Sequence, residues 1–154
     1  MYTINSKRYP TVTETHIKGF FQEYRFLSNF YKCLKFEWLG YEFDNTEAAY
    51  MASKSTDRHV HKLFSTLAPN VARNIGQSII IRPDWNDVRL DVMMNVNRLK
   101  YNDPVLRKLL DDTGNKILVE TNTWGDFFWG ASVDGVGENN LGKILMRIRD
   151  ESIF

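Results

Sequence analysis

The stretch Phe43–Lys54, FDNTEAAYMASK, decides how the middle of this chain folds. Asn45 or Thr46 can accept a hydrogen bond from the free amide groups at a helix start, so we expect a helix from there to about Lys54. Glu47 lies in the first turn, beside the positive end of the helix dipole. The stretch therefore predicts a short helix with an acid near its start and a base at its end.

Glu47, Tyr50 and Lys54 share one face of this helix, because they are separated by three, four and seven residues. Glu47 and Lys54 are two turns and roughly 10 Å apart along the axis, a span that suits two sides of one small ligand. The spacing is also typical of an ordinary amphipathic helix with an acid in its first turn and a base in its last. Spacing alone favours that structural interpretation.

Three segments that flank the helix are rich in β-branched and aromatic residues and are predicted to be strands. Two precede it, at His16–Phe21 and Cys33–Trp38, and the turn Leu39-Gly40 leads the second into Tyr41–Phe43 as a hairpin. The third strand is Lys116–Thr121.

Capping residues and apolar spacing predict five further helices. They run from Asp57 to Leu67, from Pro69 to Gly76, from Pro83-Asp84 to about Lys100, from Asp103-Pro104 to Gly114, and from Asn139 or Asn140 onward. The longest has a predicted buried stripe of Trp85, Val88, Val92, Val96 and Leu99, and the last one of Leu141, Ile144, Leu145 and Ile148. Strands lie mainly early and late, with helices between them, so the predicted fold class is α+β rather than a repeating βαβ fold.

Length and composition indicate one globular domain over residues 1–154, with 43% hydrophobic and 25% charged residues. A formal charge of +1 predicts no strong attraction to nucleic acid or membranes. No apolar stretch is long enough to span a bilayer, and the polar start Met1–Arg8 is unlike a signal peptide. We expect a cytoplasmic protein.

A metal site is not expected. Cys33 is the one cysteine, which fits a reducing compartment, and its place in a strand pattern predicts a small core residue. His59 and His61 are two residues apart, so on a helix they face different directions and cannot bind one metal together. We expect all three histidines, His16 included, to be structural or exposed.

Two later segments are further candidates for a site. In Val119–Gly130, VETNTWGDFFWG, the acids Glu120 and Asp126 lie near Trp124 and Trp129. A carboxyl beside apolar rings holds its proton more tightly, which suits acid–base chemistry, but a loop with solvated acids explains the segment equally well.

The segment Gly135–Gly142, GVGENNLG, precedes a predicted helix, where backbone amides can hold phosphate. It has neither the Walker pattern nor the GxGxxG spacing. A flexible loop with an asparagine cap explains it nearly as well.

Seven motifs in order make the chain resemble the NADAR (YbiA-like) family, the NAD- and ADP-ribose-associated domain, from about Gly19 to Arg149. They are YRFLSNF (Tyr24–Phe30), FDNTEAAYMASK (Phe43–Lys54), Ala72–Gly76, Trp85 with Arg89, Met93 and Lys100, Leu118–Glu120, Phe128–Gly130, and Gly137–Gly142 followed by Ile148-Arg149. The chain departs from the family pattern at Ala48, where histidine is frequent, and at Tyr101, where phenylalanine is usual. Neither departure falls on a charged residue that is a candidate for the site. The resemblance implies a single YbiA-like domain with a core at about 19–150, mostly helical around a small β-sheet.

The resemblance implies an N-glycosidase that cleaves the bond between a phosphorylated ribose and an amine or nucleobase nitrogen. The ribose would be ADP-ribose or ribose 5-phosphate. Expected substrates are a ribosylamino-pyrimidine intermediate of riboflavin synthesis or ADP-ribosylated guanine, free or within DNA or RNA. No cofactor is implied. A non-catalytic module that binds ADP-ribose is the alternative, and a nucleic-acid-associated protein whose aromatic rings stack on bases is a third interpretation.

The resemblance and the chemistry of such a bond suggest roles for fourteen residues. Glu47 is the expected proton-transfer group and Lys54 a nucleophile that forms a Schiff base, with direct hydrolysis as the other route. Glu120 and Asp126 are expected to position the sugar hydroxyls or water. The expected substrate-binding residues are Ser28, Asn29, Phe30, Tyr50, Trp85, Arg89, Lys100, Trp129, Gly130 and Asn139, with the tryptophans on the base and Arg89, Lys100 and the Asn139 loop on phosphate.

Overall fold

The structure, a computed structural model, describes residues 9–151. The described residues divide into two compact units. The middle unit is Asn29–Leu106, and the terminal unit combines the residues up to Ser28 with those from Arg107 onward. The predicted absence of a signal peptide at Met1–Arg8 concerns residues outside the described ones.

The middle unit begins with a hairpin of β3, Phe36–Trp38, and β4, Tyr41–Phe43, which pair antiparallel. The turn residues Leu39 and Gly40 have φ angles of 56° and 83°, as the tight turn of a two-residue hairpin requires. The predicted hairpin is confirmed, but the prediction of a strand from Cys33 is wrong. The strand β4 offers only three residues for pairing, and Cys33 instead donates its N–H to the Asp44 carbonyl.

Four helices complete the middle unit: α1, Thr46–Ala52; α2, Arg58–Phe64; α3, Pro69–Gly76; and α4, Trp85–Lys100. All seven residues of α1 are buried, because α2, α3 and α4 pack around it. The prediction that α1 reaches Lys54 is wrong by two residues. The Ser53 N–H donates to the Tyr50 carbonyl as well as to Ala49, and this tighter turn ends the helix.

The buried face of α4 is only partly the predicted one. Trp85, Val92 and Val96 are buried as expected, whereas Val88 and Leu99 are half-buried. Met93, Asn97 and Lys100 take part in the buried face instead. Hydrophobic spacing does not predict this, because two of those three side chains are polar.

The terminal unit contains a three-stranded sheet of β1, Thr11–Val12; β2, His16–Lys18; and β5, Ile117–Val119. The strand order in the sheet is β1-β2-β5. The strands β1 and β2 are antiparallel, and β2 and β5 are parallel. The prediction that β2 reaches Phe21 is wrong, because Gly19 adopts a φ of 98° and turns the chain.

A 3-10 helix, Gln22–Leu27, and the helix α6, Asn140–Asp150, also belong to this unit, and α6 packs on β5. The predicted face of α6, Leu141, Ile144, Leu145 and Ile148, is buried. The helix α5, Pro104–Asp111, spans the sequence boundary between the units. The predicted α+β class is confirmed. Among residues 9–151, no helix combines the length and apolar content that crossing a bilayer requires.

Candidate active site

The start of α1 is held by hydrogen bonds that also fix Glu47. The Asn45 side chain accepts from the Ala48 N–H at 2.7 Å, as the helix cap predicted at this position requires. The Glu47 N–H donates to the Asn29 carbonyl at 3.2 Å, and the Thr46 hydroxyl donates to Asn29 Oδ1 at 2.7 Å. Glu47 is only 8% exposed. Asn29, predicted to bind substrate, therefore holds the first turn of α1, which carries Glu47.

Lys54 lies in the turn that follows α1 and is half-buried. Its Nζ is 3.5 Å from the Gly76 carbonyl oxygen, and its own carbonyl accepts the Arg82 N–H at 2.7 Å. Burial lowers the pKa of Lys54, and the nearby Glu47 opposes that shift. A lysine in this environment reaches its neutral, nucleophilic form at lower pH than an exposed one.

Gly76 lets α3 approach α1 at this point. A Cβ atom at position 76 would lie 2.5 Å from the Met51 sulfur and 3.0 Å from its Cγ. A larger residue would force the Met51 side chain or α3 to move, and the carbonyl that Lys54 contacts belongs to the same glycine.

Tyr50 and Trp85 pack against each other beside this part of α1. Their ring centroids are 5.0 Å apart, with an interplanar angle of 55°. Trp85 is only 6% exposed, so little of its ring is open to a ligand. The role of Trp85 in stacking on a base stays a prediction. Arg89, four residues further along α4, is half-buried, and its predicted contact with phosphate also stays a prediction.

Lys100 lies at the end of α4 and is almost fully enclosed, with 2% of its surface exposed. Its Nζ is 5.7 Å from the centroid of the Tyr31 ring and 5.2 Å from that of Tyr101. Burial lowers the pKa of Lys100 to about 7, against an opposing contribution from Cys33. Burial likewise raises the pKa values of Cys33 and Tyr101. A phosphate contact by Lys100 stays a prediction, and its ammonium group is not accessible in this arrangement.

In the terminal unit, Glu120 stands at the apex of a tight turn after β5. The Thr121 N–H donates to the Val119 carbonyl at 2.9 Å, which closes a three-residue turn. Asn139 fixes the same turn, since its side-chain oxygen accepts the Glu120 N–H at 3.0 Å and its amide donates to the Leu118 carbonyl at 2.9 Å. Asn139, predicted to contact phosphate, uses its side chain to hold the backbone at Glu120.

Gly130 makes room for the Glu120 carboxylate. A Cβ at position 130 would lie 2.2 Å from the Glu120 carbonyl oxygen and 2.5 Å from both Glu120 Oε2 and Asn122 Nδ2. No side chain fits there without displacing these groups. The Phe-Trp-Gly motif therefore needs its glycine as packing space for Glu120.

The loop between Glu120 and Gly130 is closed by Asn122 and Asp126. The Asn122 side chain donates to the Asp126 carbonyl at 2.9 Å and accepts the Asp126 N–H at 3.1 Å. Asp126 Oδ1 accepts the N–H groups of Phe128 at 3.2 Å and of Trp129 at 2.9 Å. Asp126, predicted to be catalytic, therefore organises the turn that carries Trp129, and its predicted chemical role stays untested by this geometry.

The remaining candidates are partly open. Trp129 is half-buried and meets Phe128 edge to face, with ring centroids 4.8 Å apart. Ser28 is half-buried at the end of the 3-10 helix, where its N–H donates to the Arg25 carbonyl. Phe30 is 36% exposed.

Sequence reasoning missed two buried asparagines, Asn97 and Asn122. Asn122 is 3% exposed and Asn97 is fully buried, with its amide donating to the Met93 carbonyl at 3.0 Å. Asn97 Oδ1 has no partner among the described residues. The sequence did carry a signal for Asn97, because it lies among the apolar positions of α4. A polar side chain at such a position is buried, and buried polar groups are nearly always hydrogen-bonded.

A family model described as the NADAR domain matches residues 14–152. The chain belongs to the NADAR family. The solution structure of the E. coli protein YbiA superimposes with a TM-score of 0.77 at 30% identity, covering 91% of this chain and 86% of YbiA. The predicted family and YbiA-like fold are confirmed. The residues matched by the family model, 14–152, include every candidate site residue.

Relatives of this NADAR chain carry two kinds of name. The N-glycosidase YbiA of Shigella boydii is 32% identical over 73% of this chain and 72% of its own length. A riboflavin biosynthesis protein of Vibrio vulnificus is 34% identical over 84% of this chain and 36% of its own length. The chloroplastic riboflavin biosynthesis protein PYRR of Arabidopsis thaliana is 35% identical over 60% of this chain and 16% of its own length. The chain thus spans a minor part of the riboflavin-related proteins.

Proposed function

We propose that this NADAR chain is an N-glycosidase that breaks the bond between a phosphorylated ribose and an amine or nucleobase nitrogen. The observation that carries the proposal is that the buried Glu47 lies close enough to the half-buried Lys54 to act on its pKa, which burial lowers. Relatives named N-glycosidase match over more than two thirds of their own lengths and support the same reaction class.

The reaction needs a proton on the departing nitrogen and a partner for the anomeric carbon. In the covalent route, neutral Lys54 Nζ attacks that carbon, the carbon–nitrogen bond breaks, and the amine leaves with a proton supplied by Glu47. The attached nitrogen returns its extra proton to Glu47, the ring carbon–oxygen bond breaks as the ring oxygen is protonated, and an imine then joins Lys54 to the opened sugar. Water then hydrolyses the imine, which releases the ribose phosphate and regenerates the lysine. In direct hydrolysis, water attacks the anomeric carbon instead.

The lowered pKa of Lys54 supports the covalent route, because an amine attacks only in its neutral form. Borohydride reduces an imine to a stable secondary amine, so reduction during turnover should add the mass of the sugar phosphate to the protein at Lys54. The variant Lys54→Met should form no adduct, and the exposed-lysine control Lys62→Met should form as much as the wild type. An active enzyme that yields no adduct would rule out the covalent route and leave direct hydrolysis.

The substrate that we propose is a ribosylamino-pyrimidine phosphate, supported by the riboflavin biosynthesis names of several relatives. ADP-ribosylated guanine is the second member of the same bond class. Purified protein incubated with each compound should release ribose 5-phosphate from the first, as read by mass spectrometry. Release of ADP-ribose from the second alone would reassign the substrate while leaving the reaction class intact.

A binding module would behave differently in paired assays. Calorimetry that detects ADP-ribose binding, together with no product from either compound, would refute the N-glycosidase proposal. Turnover of either compound would support it.

A further inference from the structure

A pocket of about 210 Å³ lies beside the sheet of the terminal unit. It is lined by His16 and Lys18 of β2, by Val119 and Thr121, and by six residues of the following loop: Ala131, Ser132, Val133, Gly135, Gly137 and Asn139. A water molecule takes up roughly 30 Å³ in the liquid, so the pocket has room for a phosphate group and part of what carries it.

This pocket does not include Glu120. Val119 and Thr121, the first and last residues of the three-residue turn, line the pocket. The carboxylate of Glu120, the middle residue, lies against Gly130. Neither Glu120 nor Gly130 lines the pocket. A ligand in it would therefore occupy a place distinct from the Glu120 carboxylate.

The charge of the pocket lining is positive. No aspartate or glutamate is among the lining residues, whereas Lys18 is. Within residues 9–151, Lys18 has no carboxylate within salt-bridge distance, and it is half-buried. Asp134 and Glu138 belong to the same loop, but both are exposed and outside the lining. A partly desolvated lysine without a counter-ion attracts an anion.

The loop adds neutral hydrogen-bond donors. Ser132 Oγ accepts the Val136 N–H at 3.1 Å, which leaves its own proton to donate. The Gly137 N–H has no partner among the described residues. Gly137 adopts a φ of 142°, and a Cβ there would lie 2.5 Å from the Gly130 carbonyl oxygen, so only glycine lets the loop pack this closely. His16 keeps one ring nitrogen paired with the Thr15 hydroxyl at 2.7 Å and has a second to offer.

We propose that this pocket binds a phosphate group, with Lys18 as its charged partner and the Ser132 hydroxyl and Gly137 N–H as its donors. A lysine, a hydroxyl and a backbone amide together form a donor set typical of phosphate sites. The ligand is orthophosphate or the phosphate of a small sugar phosphate. For a sugar phosphate this deepens the proposed function and rests on it, since Asn139, whose loop the family resemblance places on phosphate, lines the pocket. Binding of orthophosphate needs no turnover.

The test is a titration of the ¹⁵N-labelled full chain with inorganic phosphate at constant ionic strength, followed by amide NMR. We expect the Gly137 amide signal to shift and saturate, and Lys18→Met to weaken binding by at least about tenfold. The exposed-lysine control Lys143→Met should bind as the wild type does. No saturable shift at Gly137, or an unchanged shift in Lys18→Met, would overturn the proposal.

The same spectra report whether each variant is folded. If Lys18→Met does not fold, Ser132→Ala replaces it as the test variant. Ser132→Ala removes one hydrogen-bond donor and no charge, and it should weaken phosphate binding. Unweakened binding in Ser132→Ala would then count against the site. Titration with ribose 5-phosphate identifies the source, since tighter binding than orthophosphate indicates a sugar phosphate and equal binding indicates the free anion. Failure of the hydrolysis assay leaves this result unaffected.

Discussion

Replacing Lys100 by methionine should remove a pH dependence of the free energy of unfolding. Burial holds the pKa of Lys100 at about 7 in the folded protein, against 10.5 for an unperturbed lysine. Between these values the unfolded chain binds a proton that the folded chain has lost. The free energy of unfolding therefore rises with pH in this window, and below pH 7 the full penalty of a buried charge applies.

The magnitude follows from the two pKa values. One unit of difference corresponds to about 1.4 kcal/mol, and integration from pH 7 to 8.5 gives a gain of roughly 1.5 kcal/mol for the wild type. The raised pKa values of Cys33 and Tyr101 act in the opposite direction, because each folded group keeps a proton that the unfolded one loses. Their effect stays small up to pH 8.5, because the ordinary pKa of the thiol is 9.0, so the range ends there.

The assay is urea unfolding followed by circular dichroism at four pH values from 7 to 8.5. The wild type should gain stability across the range, Lys100→Met should gain far less, and the exposed-lysine control Lys62→Met should follow the wild type. Equal slopes in Lys100→Met and the wild type would refute the inference that the buried ammonium group sets the pH dependence.

Three further predictions concern the geometry around the candidate residues. Gly130→Ala should lower stability by about 1–3 kcal/mol, because the new Cβ would lie 2.2 Å from the Glu120 carbonyl oxygen, and thermal unfolding would show it. Asn45→Ala should cost about 1–2 kcal/mol in urea unfolding through loss of the cap on Ala48, and an unchanged midpoint would contradict the capping role. Asn139→Ala removes two hydrogen bonds that hold the backbone around Glu120, so if Glu120 takes part in the reaction, kcat should fall more than KM rises. A change in KM alone would argue against the inference that Asn139 positions Glu120 for the reaction.

Local signals in the sequence predicted several elements because each depends on one or two residues. Asn45 caps α1 as expected, and Leu39-Gly40 forms the hairpin turn. The four apolar positions of α6 are all buried, since a single-faced helix shows its pattern in sequence. The order of the family motifs predicted the family and the fold.

The remaining features depend on partners that are distant in sequence. Lys100 was predicted to bind phosphate, yet its burial beside Tyr31 follows from packing that spacing does not reveal. Asn139 or Asn140 was expected to open α6. Asn139 occupies the cap position, but its side chain pairs with the backbone at Glu120 and Leu118, 19 and 21 residues earlier in the chain. The end of α1 at Ala52 is set by a turn at Ser53, and helix termini carry weak sequence signals.

The most direct test of the proposed reaction is the rate at which Glu47→Gln releases ribose 5-phosphate from a ribosylamino-pyrimidine phosphate, measured by mass spectrometry beside the wild type. The substitution keeps the shape of the buried side chain and removes its acid function. We expect the rate to fall by about 10²–10⁴-fold with thermal stability nearly unchanged, while the exposed-acid control Glu42→Gln keeps the full rate. A folded Glu47→Gln protein that releases product at the wild-type rate would contradict the proposed proton transfer by Glu47.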